Sequence, residues 1–413
     1  MKKLFTLLSA LSLSTIAFAQ MYPIGHMSIN FKDASRTGGY AISGGVQMPG
    51  TGRDVGTEVY YPAVSAGTNV AVASGTFPIV VIGHGFLMTY DNYDNIYNAL
   101  AAKGYIVALP RTEGSTSPNH ADFGADLRLL ASQLLTLNTV STPSNIVTFN
   151  GKVAQFSAIG GHSMGGGCSF LGAANNTTLT CLFNLAAANS NTAAVSSIQS
   201  ASMVTVPTLV IGGQRDCVAD TSNNQNLMYN NTASAIKFKV ILKDLTHCDF
   251  GNGSSFNCTF GQGSTGCGNT ISNIAAFNRY MTYLEPFLAR LLKNDCAKGQ
   301  QFMDTIQAVS SVRVGRKMQG SIACVATSLT NIDNEEVVAL FPNPVADILN
   351  IHCATKITQL QVTNVIGEEI FIESIATLAA DGFKLDVSGL SKGFYFLSVI
   401  SDNKKISKKF LKQ

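Results

Sequence analysis

Charge is scarce in this chain. Of 413 residues, 13% are Asp, Glu, Lys or Arg, and their formal balance is only +3. Binding to nucleic acid rests on a strong basic surplus, so that class is excluded. The lysines also gather at the C-terminus (Lys404, Lys405, Lys408, Lys409 and Lys412), which leaves the rest near neutral. Disorder is excluded by the 46% apolar content, which is ample for a buried core. There is no Cys-x-x-Cys pair, so a metal site is not expected. Beyond residue 19 no apolar run is long enough to span a bilayer.

What is present begins with an address. Lys2 and Lys3 precede an apolar stretch from Leu4 to Ala19, which ends in Ala17-Phe18-Ala19 before Gln20. This reads as a secretory signal peptide at 1–19, removed in the mature protein. Export gives meaning to the nine cysteines. Eight lie between Cys168 and Cys324, and Cys353 stands apart. An even set in an oxidising compartment suggests disulfides, and eight cysteines allow 105 pairings.

Two domains fit the length. Through the first three quarters of the chain, continuous apolar strands (GTEVYYP 56–62, FPIVVIGHG 77–85, YIVALP 105–110, VAQFSAIGG 153–161, CLFNLAAA 181–188, VPTLVIGG 206–213, IKFKVIL 236–242) alternate with helical segments at 92–104, 122–138, 165–174 and 273–293. That alternation predicts an α/β domain at 20–308, with a mostly parallel sheet and helices on both faces. Residues 309–334 read as a linker. From 335 to 413 the pattern changes to short strands of period two, which predicts a small antiparallel β-sandwich.

One stretch carries chemistry. Gly161-His162-Ser163-Met164-Gly165 fits G-x-S-x-G, with a strand before it and a helix after it. That is the context of a nucleophile elbow, in which a strained turn projects the serine hydroxyl at the carboxyl end of a sheet. The Met164 amide, at the helix N-terminus, is then placed to bind an oxyanion. The second donor is expected from the glycine-rich loop after strand 77–85, at the Phe86 amide, with Leu87 as the alternative. Gly85, Leu87, Tyr90 and His162 are candidates for the substrate cleft.

A serine needs a base, and the base a carboxylate. Of six histidines, His247 follows the last strand of the sheet, where a loop can reach back over the elbow; His120 is the competitor. Asp216 follows strand 206–213, with Asp220, Asp244 and Asp249 as competitors. The order Ser163, Asp216, His247 is that of the α/β-hydrolases. Cys217 follows Asp216 and Cys248 follows His247, so a Cys217–Cys248 bridge is expected to tie the two loops. Cys258–Cys267 and Cys296–Cys324 are two further candidate pairings. A histidine base must be neutral, so rate is expected to climb through roughly pH 6–7.5.

The elbow GHSMGGG, the His84-Gly85-Phe86 loop and VPTLVIGGQRD resemble secreted α/β-hydrolase esterases across roughly residues 40 to 295. The cutinase-like polyesterases come first, with dienelactone-hydrolase-like and platelet-activating-factor-acetylhydrolase-like enzymes beside them. The resemblance implies Ser163 as nucleophile, Asp216 and His247 as partners, and the Phe86 and Met164 amides as oxyanion hole. Polyester-degrading relatives often clamp substrate with tryptophan, and this chain has none. Dienelactone hydrolases use cysteine where this chain has Ser163. FPNPVADILNI (341–351), VTNVIG (362–367), LDVSGLSKGFYFLSV (385–399) and KKISKKFLK (404–412) are similar to the C-terminal sorting domain of type IX secretion cargo in Bacteroidetes. That implies export through the periplasm to the cell surface or medium, with the secretion machinery as partner.

The reading is a secreted serine carboxylic ester hydrolase working through an acyl-enzyme, with no cofactor or metal. Only 52 residues, 164 to 215, separate the serine from the aspartate, too few for a large lid. Short-chain or bulky esters, polyester among them, are the expected substrates. A peptidase or amidase on the same fold and a non-catalytic adhesion protein are the alternatives.

Overall fold

Strands buried on both faces need cover on both sides, and that requirement shapes the N-terminal part of the molecule. The structure, a computed structural model, describes residues 21–36, 39–40, 47–48, 52–139, 147–192, 195–268, 270–324, 338–353, 359–365, 368–374, 383–401 and 404–413. The expected signal peptide at 1–19 lies outside them. The chain divides into two compact units, 1–324 and 325–413.

The first unit is a ten-stranded sheet. Its strands are β1 (Ile24–Asp33), β2 (Arg53–Pro62), β3 (Gly67–Thr68), β4 (Phe77–Gly83), β5 (Ile106–Pro110), β6 (Val153–His162), β7 (Cys181–Leu185), β8 (Thr208–Gly213), β9 (Lys237–Leu242) and β10 (Arg313–Gln319). They lie in the order β10-β9-β8-β7-β6-β4-β5-β2-β1-β3. The six strands from β9 to β5 are parallel, while β2 and β10 pair antiparallel at either side. Strand β4 shows why helices cover both faces. Ile79 and Val81 enter one core, and Val80 and Ile82 enter the other, as the period of two requires. Helices α1 (Asp94–Ala102), α2 (His120–Thr136), α3 (Met164–Ala173), α4 (Ser197–Ala201), α5 (Gln225–Asn231), α6 (Phe256–Ser264), α7 (Asn273–Lys293) and α8 (Cys296–Gln307) follow in the chain. Phe123, Leu127 and Leu130 of α2 and Phe170 of α3 fill one core. Ile96 and Leu100 of α1, Leu284 and Leu288 of α7 and Phe302 of α8 fill the other. This is the α/β-hydrolase architecture expected from the alternating pattern. Among the described residues, no helix is long and apolar enough to cross a membrane.

One boundary differs from the sequence reading. Residues 309–334 read as a linker, yet Arg313–Gln319 forms β10 and extends the sheet beside β9. Its sequence, RVGRKMQ, has three cations and no apolar alternation. An edge strand is open on one side, and charged side chains there discourage pairing with another chain. A strand of that kind carries no hydrophobic period to read. The Cys296–Cys324 disulfide, one of the expected pairings, ties the following turn to α8. Residues 325–334 lie outside the described set.

The second unit holds two antiparallel sheets. One contains β11 (Val338–Phe341), β12 (Ile348–Cys353) and β15 (Phe383–Asp386); the other contains β13 (Gln359–Asn364), β14 (Glu369–Ser374), β16 (Gly393–Ser401) and β17 (Lys404–Lys412). Alternate residues from both, among them Leu349, Ile351, Leu360, Val362, Leu397 and Val399, form one buried core.

Candidate active site

Strand β6 ends at His162 and α3 begins at Met164, so Ser163 alone must turn the chain. It does so at φ 52° and ψ −119°, a conformation that costs a non-glycine residue about 1–3 kcal/mol and persists where its surroundings impose it. Those surroundings are close-packed backbone. A Cβ on Gly165 would sit 2.2 Å from the Gly83 carbonyl oxygen, and one on Gly161 would sit 2.6 Å from the same atom. Helix α3 can approach β4 and β6 this closely only with glycine at both positions. The Ser163 N–H donates to the Leu185 carbonyl (3.1 Å), and its own carbonyl accepts from Gly167 (3.0 Å) and Ala188 (2.9 Å). Both backbone groups of Ser163 are thereby tied.

The loops after β8 and β9 bring the other two expected residues to the serine. His247 Nε2 lies 2.7 Å from Ser163 Oγ, and His247 Nδ1 lies 2.8 Å from Asp216 Oδ2. All three side chains are buried. A carboxylate only accepts, so Nδ1 carries the imidazole proton and Nε2 is left to accept from the serine hydroxyl. The other Asp216 oxygen accepts the Val218 and Ala219 amides (3.0 and 2.7 Å), which aims the carboxylate at the ring. The competitors lie elsewhere. Asp220 accepts the Ser222 and Asn223 amides in its own turn. Asp249 accepts the Thr246 amide and hydroxyl within the base loop (both 2.7 Å). Asp244 is 3.7 Å from Arg279, and His120 opens α2.

The expectation that His162 lines the cleft is corrected. Its side chain is 0% exposed, with both nitrogens engaged. Nε2 is 2.9 Å from the His247 carbonyl oxygen and Nδ1 is 2.8 Å from the Tyr93 hydroxyl. Burial, reinforced by His247 beside it, pushes the ring well below the ordinary imidazole range, so it is neutral. A carbonyl only accepts, so Nε2 holds the proton and donates to His247. Nδ1 then accepts from Tyr93, whose oxygen also accepts the Gly85 N–H (2.9 Å). The loop after β4 is thus linked through Tyr93 and His162 to the backbone of His247. Tyr93 was missed by the sequence reading. It stands in a stretch with plain helical spacing, and only the fold shows what its hydroxyl meets.

The loop after β4 carries three of the expected cleft residues. Gly85 is buried, Leu87 is half-buried at φ 54°, and Tyr90 is half-buried. The Gly165 N–H donates to the His84 carbonyl (3.0 Å), tying this loop to the start of α3. Among the described residues, neither the Phe86 amide nor the Met164 amide has a protein acceptor. The Met164 amide is one of the unsatisfied donors at a helix N-terminus. No group of three or more His, Cys, Asp or Glu side chains among the described residues is arranged to hold a metal ion.

The expected Cys217–Cys248 bridge is not formed. Cys217 pairs with Cys267, and Cys248 pairs with Cys258, which also replaces the Cys258–Cys267 pairing. The reason is α6, an element the Gly/Ser-rich stretch 251–268 did not announce. It carries Cys258 on its first turn and delivers Cys267 just past its end. The disulfide partners of Cys217 and Cys248 therefore both lie on the α6 segment. Cys168 and Cys181 are free and buried.

Two families match this chain. Residues 26–266 match the family described as PET hydrolase-like. Residues 339–413 match the secretion system C-terminal sorting domain. No curated protein matches it.

Proposed function

The chain belongs to the PET hydrolase-like family and is a secreted or cell-surface ester hydrolase, and from that premise we propose that it cleaves carboxylic esters by serine catalysis at Ser163. The observation that carries this reading is the hydrogen-bonded run from Asp216 Oδ2 through His247 to Ser163 Oγ.

In the first step His247 Nε2 takes the hydroxyl proton as Ser163 Oγ attacks the ester carbonyl carbon. Asp216 holds the ring with Nδ1 protonated and stabilises the imidazolium. The carbonyl oxygen becomes an oxyanion, received by the Phe86 and Met164 amides, which have no competing acceptor among the described residues. The tetrahedral intermediate expels the alcohol, which takes the proton from His247. The acyl-serine that remains is attacked by water, deprotonated by the same imidazole, and the acid leaves.

Phe86, in the loop after β4, has 46% of its surface exposed, which supports an open site suited to short-chain or bulky esters, polyester among them. Residues 1–19 act as a leader removed on export, and the second unit is the element that type IX secretion machinery reads. Ser163→Ala is the test. It is expected to lower turnover of a soluble acetate ester by roughly three to six orders of magnitude, with an unchanged circular dichroism spectrum. Near-full turnover in that variant, or failure of a fluorophosphonate to label Ser163 in the wild type, overturns the proposal.

A further inference from the structure

Gln225, the first residue of α5, is 0% exposed, at a position that an apolar side chain of similar length would fill at less cost. Its Oε1 is buried with no hydrogen-bond partner among the described residues, so the amide is not there for its acceptor. Nε2 is 2.6 Å from the Ala187 carbonyl oxygen and 3.0 Å from the Ala219 carbonyl oxygen. Carbonyls only accept, so each takes one amide N–H, and the two contacts fix which end of the side chain is the nitrogen. Both donors of Gln225 are used, and only the donors.

Each of those carbonyls belongs to a loop that holds one member of the triad. Ala187 lies in the loop after β7, and its carbonyl shares one peptide unit with the Ala188 N–H, which donates to the Ser163 carbonyl at 2.9 Å. The Ser163 N–H donates to Leu185 at the end of β7 (3.1 Å), so both backbone groups of the serine are bonded to this segment. Ala219 lies in the acid loop, after β8, and its N–H donates to Asp216 Oδ1 at 2.7 Å. A run of hydrogen bonds therefore leads from Ser163 through one peptide plane to Gln225. From there it passes through Ala219 to the carboxylate. The serine and the aspartate are joined twice, once through His247 and once through Gln225.

The surroundings make this second run stiff. Ala186 stands at φ 44°, a region unfavourable to a residue with a Cβ, which persists where neighbours impose it. Asn224, the residue before Gln225, accepts the Asn189 N–H at Oδ1 (2.8 Å) and donates from Nδ2 to the Asp220 carbonyl (2.9 Å). The start of α5 thus grips the loop after β7 and the acid loop at two adjacent positions. Hydrogen bonds linked in a buried chain also strengthen one another.

We propose that Gln225 is a positioning residue for catalysis: by tying the loop after β7 to the acid loop, it sets the separation of Ser163 and Asp216 that His247 has to bridge. The proposal rests on the esterase reading above. An imidazole has a fixed width, and it meets the hydroxyl at 2.7 Å and the carboxylate at 2.8 Å only while those two groups keep their spacing. Gln225 has no hydrogen bond to any of the three triad side chains, so it acts through the backbone that carries them. Misplacing a reacting group by about 1 Å costs on the order of 100-fold in rate.

The test uses the full chain and Gln225→Met, which keeps the length of the side chain and offers neither donor. The readouts are kcat and KM on a soluble acetate ester, the pH dependence of kcat/KM, the rate of fluorophosphonate labelling and the melting temperature. The expected result is kcat down about 10- to 100-fold with KM within about threefold, and labelling slowed in parallel. The acid limb of the pH profile moves too. Asp216 stabilises the imidazolium, so a looser contact lets His247 lose its proton at lower pH, by about half a unit. The other titratable groups beside His247 are His162, neutral and 4.8 Å away ring to ring, and Asp249, held by Thr246; the substitution touches neither. A glutamine that only fills the core would lower the melting temperature and leave kcat and the limb in place. A wild type inert to both ester and fluorophosphonate removes the esterase reading itself. An active wild type with a folded Gln225→Met whose kcat is within twofold and whose limb is unmoved overturns the positioning role, whatever its melting temperature. A loss carried by KM alone also overturns it, since the residue would then shape substrate binding. If Gln225→Met does not fold, Gln225→Asn, which draws the amide back by one methylene, is judged by the same criteria. Failure of both to fold assigns Gln225 to the core and overturns the proposal.

Discussion

Replacing Tyr93 by Phe removes one oxygen and keeps the ring. That oxygen accepts the Gly85 N–H at 2.9 Å and donates to His162 Nδ1 at 2.8 Å, and both partners are buried. The variant leaves a backbone donor and a ring acceptor with no replacement, each costing about 1–3 kcal/mol. Together that is roughly 2–6 kcal/mol of stability, which for a domain of roughly 300 residues is a fall in melting temperature on the order of 3–10 °C. The same bonds position the donor loop at one end and the His247 backbone at the other, so catalysis suffers as well. Loss of a whole oxyanion donor costs about 100- to 1000-fold in kcat; misplacement of one that is still present is expected to cost about 10- to 100-fold. KM for a small acetate ester should stay within about threefold, because the bonds lost do not touch substrate. Differential scanning fluorimetry and initial-rate kinetics read both effects. His162→Phe breaks the same run, so the double variant should cost clearly less than the sum of the singles. A Tyr93→Phe protein that melts within 2 °C of wild type with kcat within twofold, or singles that simply add, would falsify the linkage.

Two further outcomes follow from burial and packing. Burial pushes both His84 and His162 below the ordinary imidazole value of 6.5, and His162 also has His247 beside it. The unfolded chain takes up protons there that the folded chain refuses, so this stability is fully present above about pH 6.5 and is lost as pH falls, at up to about 1.4 kcal/mol per unit for each ring. The melting temperature should therefore drop between pH 7 and 5.5, and a flat curve over that range refutes the neutral buried pair. Gly165→Ala would place a carbon 2.2 Å from a backbone oxygen and should cost more than about 3 kcal/mol. Gly261→Ala meets nothing within 4 Å and should stabilise α6 by roughly 1 kcal/mol. Equal melting temperatures for the two alanine variants would contradict the close approach at the elbow.

How much of the site was legible follows from how each piece is encoded. Ser163 is marked locally, because an elbow needs small residues on either side of one hydroxyl and these sit within five positions. Asp216 and His247 are marked by place, each in the loop after a strand that its apolar run reveals. Tyr93 and His162 carry no such mark. Their roles arise because β4, β6 and the loop after β9 end side by side, and a tyrosine in a helix-like stretch or a histidine inside the elbow motif has no sequence feature that foretells a hydrogen bond 69 positions away. Strand β10 escaped for the opposite reason. It is defined by pairing with β9, and its polar sequence has no buried period.

The disulfides show the same division. Counting cysteines beside Asp216 and His247 predicts that the loops are fastened, and they are, but to α6 rather than to each other. By itself the sequence determined the alternation of strand and helix, the turn at Ser163, the loops that carry Asp216 and His247 and the period-two tail, because each is written in neighbouring residues. The tertiary structure alone decided which carboxylate meets which imidazole, which cysteines meet, and that the Tyr93 hydroxyl meets His162, because those are contacts between residues that only folding makes neighbours.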